Sequence, residues 1–402
     1  MSRLSDIPRD ALPEDERRFY DAVKAIRRRP VSGPFIVMMN SSPDLAARVA
    51  HLGHYFHSRG QADEAVLPLR ARALVSLVGS RALDAPYEWA AWINWALEAG
   101  VPQETADAIR EGRTPGFTPE EALIAKLCSQ LVSGDHRVDA ATFATALAHF
   151  SRQELVELVA TLGYFAMIAL PLNAFEMEMS PQQLSLRKPF APLVVRERRG
   201  AGGDEKRREL PPLSGSGGAA PRVPPLSRHE DVAPEHQHFV DRIVRSRGRV
   251  APLFQVLLHS PDAAERIAHV GAFFVYESAL PPKVRALVWL EAARELDCAY
   301  TWRVGLKAAR AAGMDVSLIE SLERGKPPPA VFVDMKAVFA FCRQLMRSNH
   351  HVDDDTYRAV VGQFGVPVTV QIAAMLGYIA MTSLIANAFE VAPDHADASP
   401  LL

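Results

Sequence analysis

Glu88, Trp92 and Trp95 stand at positions i, i+4 and i+7 of a helical pattern that begins at Ala85 and runs to Gly100. That spacing puts all three on one stripe. A carboxylate held against two indoles is either a tuned acid or one wall of a pocket. Burial raises its pKa toward neutrality, which suits a general acid or base. The competing reading is a structural carboxylate paired with an arginine such as Arg72. A degraded copy of the stretch runs from Cys298 through Tyr300, Thr301, Trp302 and Gly305 to Gly313, with Thr301 and Gly305 on its stripe.

Other residue types offer less. Cys298 stands near a helix start, where a thiolate is favoured. No histidine or second cysteine lies within helical reach of it, so a buried and inert thiol is the competing reading. Cys128 and Cys342 occupy equivalent core-type positions and read as packing residues. His51, His54 and His57 invite a metal reading, but positions six apart on a helix point about 240° around and no acid completes a set. His51 reads as structural, and His54 and His57 as surface residues. His136, His350 and His351 fall in polar turns and are expected to be exposed. No metal site and no cofactor motif is expected.

The chain has 402 residues, room for two domains that each bury a core. A net charge of −2 gives no basic signal for nucleic acid or for an anionic membrane. Three cysteines argue against a disulfide framework, so a reducing cytoplasm is expected. The start, Met1 to Asp6, is polar and does not read as a signal peptide. Leu158 to Leu172 is strongly apolar but short for a membrane span, and it contains Gly163 and Pro171. It reads as a buried core helix.

The helices that must position Glu88 occur twice. Ser42-Pro43-Asp44, a helix start with a serine cap and proline at N1, returns at an offset of 218 as Ser260-Pro261-Asp262. Arg48, His51 and Gly53 return as Arg266, His269 and Gly271, and Arg72 and Trp89 as Arg285 and Trp302. Capping boxes start helices at Thr118 and Ser151. Gly163-Tyr164-Phe165-Ala166-Met167 with Asn173-Ala174-Phe175-Glu176 returns at an offset of 214 from Gly377 to Glu390. The near-constant offset means duplication of a whole domain. No alternating strand pattern appears, so both copies are helical throughout. Between them, residues 186–232 shift to Pro, Gly, Ser and clustered charge, and read as a flexible linker. Its basic runs around Arg196 and Lys206 read as solvated charge.

Each copy resembles the carboxymuconolactone decarboxylase family, which includes the alkylhydroperoxidase-D-like proteins. Tyr87-Glu88-Trp89 up to Ala99-Gly100, the Gly-Tyr-x-x-Met…Asn-Ala-Phe-Glu endings and the helices at Leu69 to Ala73 and Val284 to Ala286 carry the resemblance. It implies all-α domains of about six helices assembled as dimers or higher rings. It also implies, in the peroxidase branch, a Cys-x-x-Cys-x-x-x-His site with a relay glutamate on the preceding helix. Counted back from the closing glycine, those positions here hold Ala85, Glu88 and Trp92, or Cys298, Thr301 and Gly305, and the glutamate falls at Ala73 and Ala286. Dithiol peroxidase chemistry is therefore not expected. A second branch carries Tyr-Glu-Trp-x-x-His, which Tyr87 to Trp92 nearly matches with Trp92 in the histidine slot. The decarboxylase branch binds a lactone carboxylate, a role open to Arg72 and Arg285.

The sequence thus predicts two tandem alkylhydroperoxidase-D-like domains, 13–185 and 233–393, joined by the linker and packed as an internal pseudo-dimer, with further homo-oligomerisation open. The leading function is a non-peroxidatic family member with a small-molecule pocket in the first domain. Glu88 would do acid–base work on an acidic or lactone substrate held by Arg72, Tyr87, Trp89 and Trp92. Tyr300, Trp302 and Arg285 are the corresponding positions of the second domain. The rival is a pseudoenzyme, a helical interaction module with both sites decayed. A third reading is a one-cysteine hydroperoxide reductase through Cys298. Neither nucleic acid nor membrane is an expected partner.

Overall fold

A computed structural model describes residues 2–57, 65–113, 116–186, 190, 213, 220–347 and 350–393. Among them there is no strand, and the all-α expectation holds. The chain runs through α1 (Arg17–Arg27), α2 (Pro34–Met39), α3 (Pro43–His57), α4 (Leu69–Ala82), α5 (Pro86–Glu98), α6 (Gln103–Arg110), α7 (Pro119–Val132), α8 (Ala140–His149), α9 (Arg152–Ala174) and α10 (Pro181–Leu186). It continues with α11 (Gln237–Arg247), α12 (Pro252–Leu257), α13 (Pro261–Ala272), α14 (Pro282–Glu295), α15 (Ala299–Ala311), α16 (Val316–Glu323), α17 (Val333–Met346) and α18 (Asp354–Ala388).

The second series follows the first from α1 and α11 to α7 and α17, except that a π-helical turn, Phe273–Glu277, follows α13; α8 and α9 correspond to the two parts of α18, and α10 has no counterpart. Where Ser151 starts α9 with a complete capping box, the corresponding residue of α18 is Gly365. Its φ of 76° and ψ of 167° are not helical, so the run divides there into two helices that meet at a kink. A side chain at that φ would be strained, so glycine does here what a cap does in the first repeat.

The recurring motifs have structural causes. A Cβ on Gly163 would lie 3.0 Å from the Cα of Met381, and one on Gly377 would lie 2.3 Å from the Met167 carbonyl oxygen. Glycine is therefore what lets α9 and α18 cross backbone to backbone, each glycine against the other helix's methionine. The next residue packs beneath α3 or α13. A Cβ on Gly53 would meet the Tyr164 hydroxyl at 2.2 Å, and one on Gly271 the Tyr378 hydroxyl at 2.1 Å. The terminal asparagines pin the turns that lead into α5 and α15. Asn173 Nδ2 donates to the Leu83 carbonyl at 3.1 Å, and Asn387 Nδ2 to that of Leu296 at 2.9 Å. Both α9 and α18 are long and apolar enough to cross a membrane, but their most apolar windows are 100% and 94% buried inside the protein. That is the position of a core helix.

Contacts between the repeats are reciprocal. Arg48 stacks over Phe273 at 5.7 Å and Arg266 over Tyr55 at 5.0 Å. Arg3 binds the Ala174 and Val352 carbonyls and covers Tyr357, while Arg222 binds the Ala388 and Val138 carbonyls and covers Phe143. These two arginines lie outside the domain limits of 13 and 233 expected from sequence. Short polar segments bounded by proline carry no helical period, so composition alone reads them as tail or linker. Val223 and Val232, inside the expected linker, are buried. Most of the rest of 186–232, including the basic runs, lies outside the described residues.

One expected cap is used differently. Ser42 Oγ accepts from the Leu45 N–H at 3.3 Å, whereas Ser260 makes no cap. Its hydroxyl lies 3.1 Å from Glu157 Oε1 and 2.9 Å from the Tyr55 hydroxyl. Glu157 is buried and also accepts from the Leu67 N–H at 2.8 Å. A buried carboxylate that would otherwise lack donors takes the Ser260 hydroxyl in preference to the helix start.

Candidate functional site

Pro86 sets the first turn of α5, and Glu88 follows in that turn. The stripe expected from sequence forms. Trp92 Nε1 donates to Glu88 Oε2 at 2.6 Å, and the carboxyl is 1% exposed. Burial pushes the Glu88 carboxyl up to about 7, against the pull of the Trp92 hydrogen bond and of Arg27 and Arg29. An acid at that pKa exists in both protonation states near neutral pH.

The cations that act on Glu88 come from the end of α1 and not from Arg72. Arg28 takes the left-handed conformation that ends α1, and Arg27 and Arg29 flank it. Arg27 lies over the Phe35 ring at 4.1 Å, and its Nε has no hydrogen-bond partner among the described residues. Burial lowers Arg27 to about 10, with Arg29 pushing the same way and Tyr164 and Glu88 opposing. Arg29 is exposed, with its guanidinium carbon 5.8 Å from the Trp92 ring centroid. Through Arg29 the cluster meets solvent.

His57, expected at the surface, ends α3 with its ring inside this cluster. It stacks on Trp92 at 4.0 Å and meets Trp95, Tyr164 and Phe165 edge-on at 5.7, 5.2 and 5.3 Å. The residue as a whole is only half-buried, yet both ring nitrogens are shut off from solvent and have no partner among the described residues. Burial holds its pKa well below the usual value, so the imidazole is neutral. A signal for this existed in the sequence, since His57 follows Val49 and Gly53 at i+8 and i+4 on the buried stripe of α3. The other histidines expected to be exposed, His136, His350 and His351, are half-buried. His136 and His350 reach the Leu131 and Leu345 carbonyls, because the turns that hold them fold back on the preceding helices.

The remaining expected ligand-binding residues are placed as follows. Arg72 is buried and donates to the Phe56 carbonyl at 3.2 Å, and Arg285 donates to the Val275 carbonyl at 3.0 Å. Both thus serve the carbonyl end of the preceding helical segment. Tyr87 is half-buried against Gly33 and hydrogen-bonded to Gln183, and burial raises its phenol. Trp89 turns off the Glu88 stripe and meets Phe190 edge-on at 5.4 Å. Tyr300 and Trp302 are buried.

The second repeat fills the same space. Gly305 stands where Trp92 stands, and a Cβ on it would lie 3.0 Å from the Trp289 ring. Trp289, which replaces Ser76 of the first repeat, brings its indole in from α14. Glu88 is replaced by Thr301, whose hydroxyl meets Ser383 at 2.9 Å. His57 is replaced by Val275. Arg247, which takes the place of Arg27 before the left-handed end of its helix, donates to the Ala268 carbonyl at 2.7 Å. Cys298 is 1% exposed and burial raises its thiol, the opposite of what a reactive thiolate requires. Cys128 and Cys342 are fully buried, as packing residues should be.

The second repeat also holds an ion-pair ladder that sequence reading missed. Arg343 Nε lies 2.8 Å from Glu291 Oε1, and Arg347 binds Glu295 at 2.5 and 2.6 Å. Burial raises Glu291 to about 7. Val78, Ala82, Ser129 and Ser133 occupy these positions in the first repeat. Its α4 and α7 are instead joined by an ion pair between Arg70 and Glu121 at 2.5 Å.

The carboxymuconolactone decarboxylase family model matches residues 261–326, from the start of α13 to just beyond α16, and supports the assignment to that family. No curated protein and no solved structure matches the chain.

Proposed function

We propose that the chain is a non-peroxidatic protein of the carboxymuconolactone decarboxylase family. Its first repeat binds a small organic acid and moves protons on it through Glu88. The observation that carries this reading is the buried Glu88 carboxyl, raised to about 7, with the guanidinium of Arg27 close enough to act on it but forming no ion pair. A buried polar group without a partner costs stability, typically 1–3 kcal/mol on the order of magnitude. The second repeat has no carboxyl at the corresponding position, where the Thr301 hydroxyl meets Ser383 instead, and retaining a buried acid in the first repeat is explained by a ligand that uses it. Arg27 and Arg29 then hold the anion, and Arg72 positions the end of α3. The second repeat acts as a buttress, and the reciprocal contacts around Gly163, Gly377, Arg3 and Arg222 support reading the chain as an internal pseudo-dimer. The three buried free cysteines accord with a reducing cytoplasm.

The test is calorimetric binding of acetate, succinate and benzoate to the wild type, Arg27→Gln and Glu88→Gln. Binding by the wild type that falls about tenfold or more in Arg27→Gln is the expected result. Absence of binding by all three sinks the reading. It would favour the second one, a catalytically decayed helical scaffold, which the near-complete enclosure of Glu88 already supports.

A further inference from the structure

We propose that His57 is a second catalytic group of the first-repeat site, taking from the bound acid the proton that complements the one Glu88 gives. The inference rests on the reading of that repeat as an acid–base site. Glu88 holds the Nε1 edge of Trp92 at 2.6 Å, and His57 lies on the face of the same indole at 4.0 Å. One indole thus separates two titratable groups carried by different helices.

Three observations argue against a purely structural imidazole. A ring that only filled space among Trp92, Trp95, Tyr164 and Phe165 would be better made of carbon, and the second repeat has Val275 at this position. A buried structural histidine ordinarily donates one ring N–H to a carbonyl, as happens at His136 and His350, which approach backbone oxygens at 2.9 and 2.8 Å. Both nitrogens of His57 are instead idle. Finally, the groups around it favour the neutral ring. Arg27 and Arg29 from α1, Arg72 from α4 and His54 on its own helix all oppose its protonation. Glu88 on α5 and Tyr164 on α9 complete the titratable surroundings.

Burial drives the two groups apart in the useful direction, the carboxyl toward its protonated form and the imidazole toward its free base. In the reaction, a ring nitrogen of His57 takes a proton from the carbon next to the substrate carbonyl. The electron pair of that C–H bond moves toward the carbonyl oxygen, which takes the proton of Glu88. An enol conjugated with a C=C bond, an imidazolium and a carboxylate result. His57 then gives its proton to the far carbon of that dienol while the Glu88 carboxylate takes back the enol proton, which moves the double bond into conjugation and resets both groups. No oxidant or co-reactant is needed. The substrate class is an unsaturated organic acid whose acidic C–H lies between a carbonyl and a C=C bond.

The experiment is long-range 1H–15N spectroscopy of the full chain labelled in its histidine rings, from pH 5 to 8, with acetate, succinate and benzoate as probes. His57→Phe, which keeps a ring in the aromatic cluster, runs beside it. The expected result is a His57 signal that stays neutral down to pH 5, and a ring-nitrogen shift on adding a probe that binds. Probe affinity should fall about tenfold in His57→Phe, the size of a lost hydrogen bond to a charged group. Binding that depends on Arg27 but leaves the His57 signal unmoved and is equal in His57→Phe overturns the assignment while the acid–base reading stands. No binding by any probe overturns that reading and this inference with it.

Discussion

The two repeats solve one packing problem in opposite ways. In the first, the space beneath α5 holds Glu88, Trp92 and His57, with Arg27 stacked on Phe35 beside them. In the second it holds Thr301, Gly305 and Val275, with the indole of Trp289 brought in from α14 and Arg247 tied to a carbonyl. Helix order is shared, and beneath α5 and α15 the difference lies in side chains and in the π-helical turn Phe273–Glu277 that carries Val275 where α3 stays regular through His57. It teaches that this fold does not need a buried acid at that place. Where no acid is kept, the Trp289 indole and the Thr301–Ser383 pair close the gap, and the acid in the first repeat therefore asks for another explanation than stability.

The sharpest way to break the comparison is to exchange the fillings. Trp289→Ser should cost about 3–5 kcal/mol in denaturant unfolding, because it empties a space that nothing else reaches. Gly305→Trp alone should cost about 3 kcal/mol, the upper end for overpacking, because its ring would meet Trp289. The double variant rebuilds the arrangement of the first repeat, and should lose at least about 1 kcal/mol less than the two singles together. Simple additivity would mean that the two indoles do not compete for one place.

Glu88→Gln comes next. Because the folded carboxyl titrates at about 7 rather than at its ordinary 4.5, the native state holds a proton that the unfolded chain has released between those values. Stability from this group therefore falls as pH rises from 4.5 to 7 and is level above. The variant should gain on the wild type over that window, reaching about 3 kcal/mol at pH 8 and vanishing near pH 4.5. Glu291 is shifted the same way, but it is present in both proteins and cancels. A pH-independent difference would contradict the burial of an ionisable Glu88.

Smaller effects separate the two serines. Ser260→Ala should cost about 2 kcal/mol, since it takes a donor from the buried Glu157. Ser42→Ala should cost about 1 kcal/mol, the value of a cap. Equal losses would mean that Ser260 acts as a cap after all.

What the sequence revealed followed from periodicity. The Glu88–Trp92 stripe, the capping boxes at Thr118 and Ser151 and the buried α9 all depend on spacing along one element, and each is found. What it hid depends on which elements meet. Nothing in the spacing of α1 says that Arg27 and Arg29 reach α5, or that Trp289 fills the place of Gly305 from another helix. Arg72 sits at a position where a carboxylate anchor made sense, yet the nearest unsatisfied group was the carbonyl end of α3. His57 lay between these cases, with its stripe legible and its aromatic surroundings not.

The reciprocal grip of Arg3 and Arg222 has a consequence for how such a chain can change over time. Each arginine fastens the last turn of one repeat to the other repeat, so each half supplies what the other lacks. Two separate copies of one gene product would have to pair like with like as often as with the other kind, and both surfaces would stay under the same constraint. Chain continuity fixes the pairing at a high effective concentration. One half can then carry the Trp289 filling while the other carries Glu88, Trp92 and His57, an asymmetry that identical subunits cannot have.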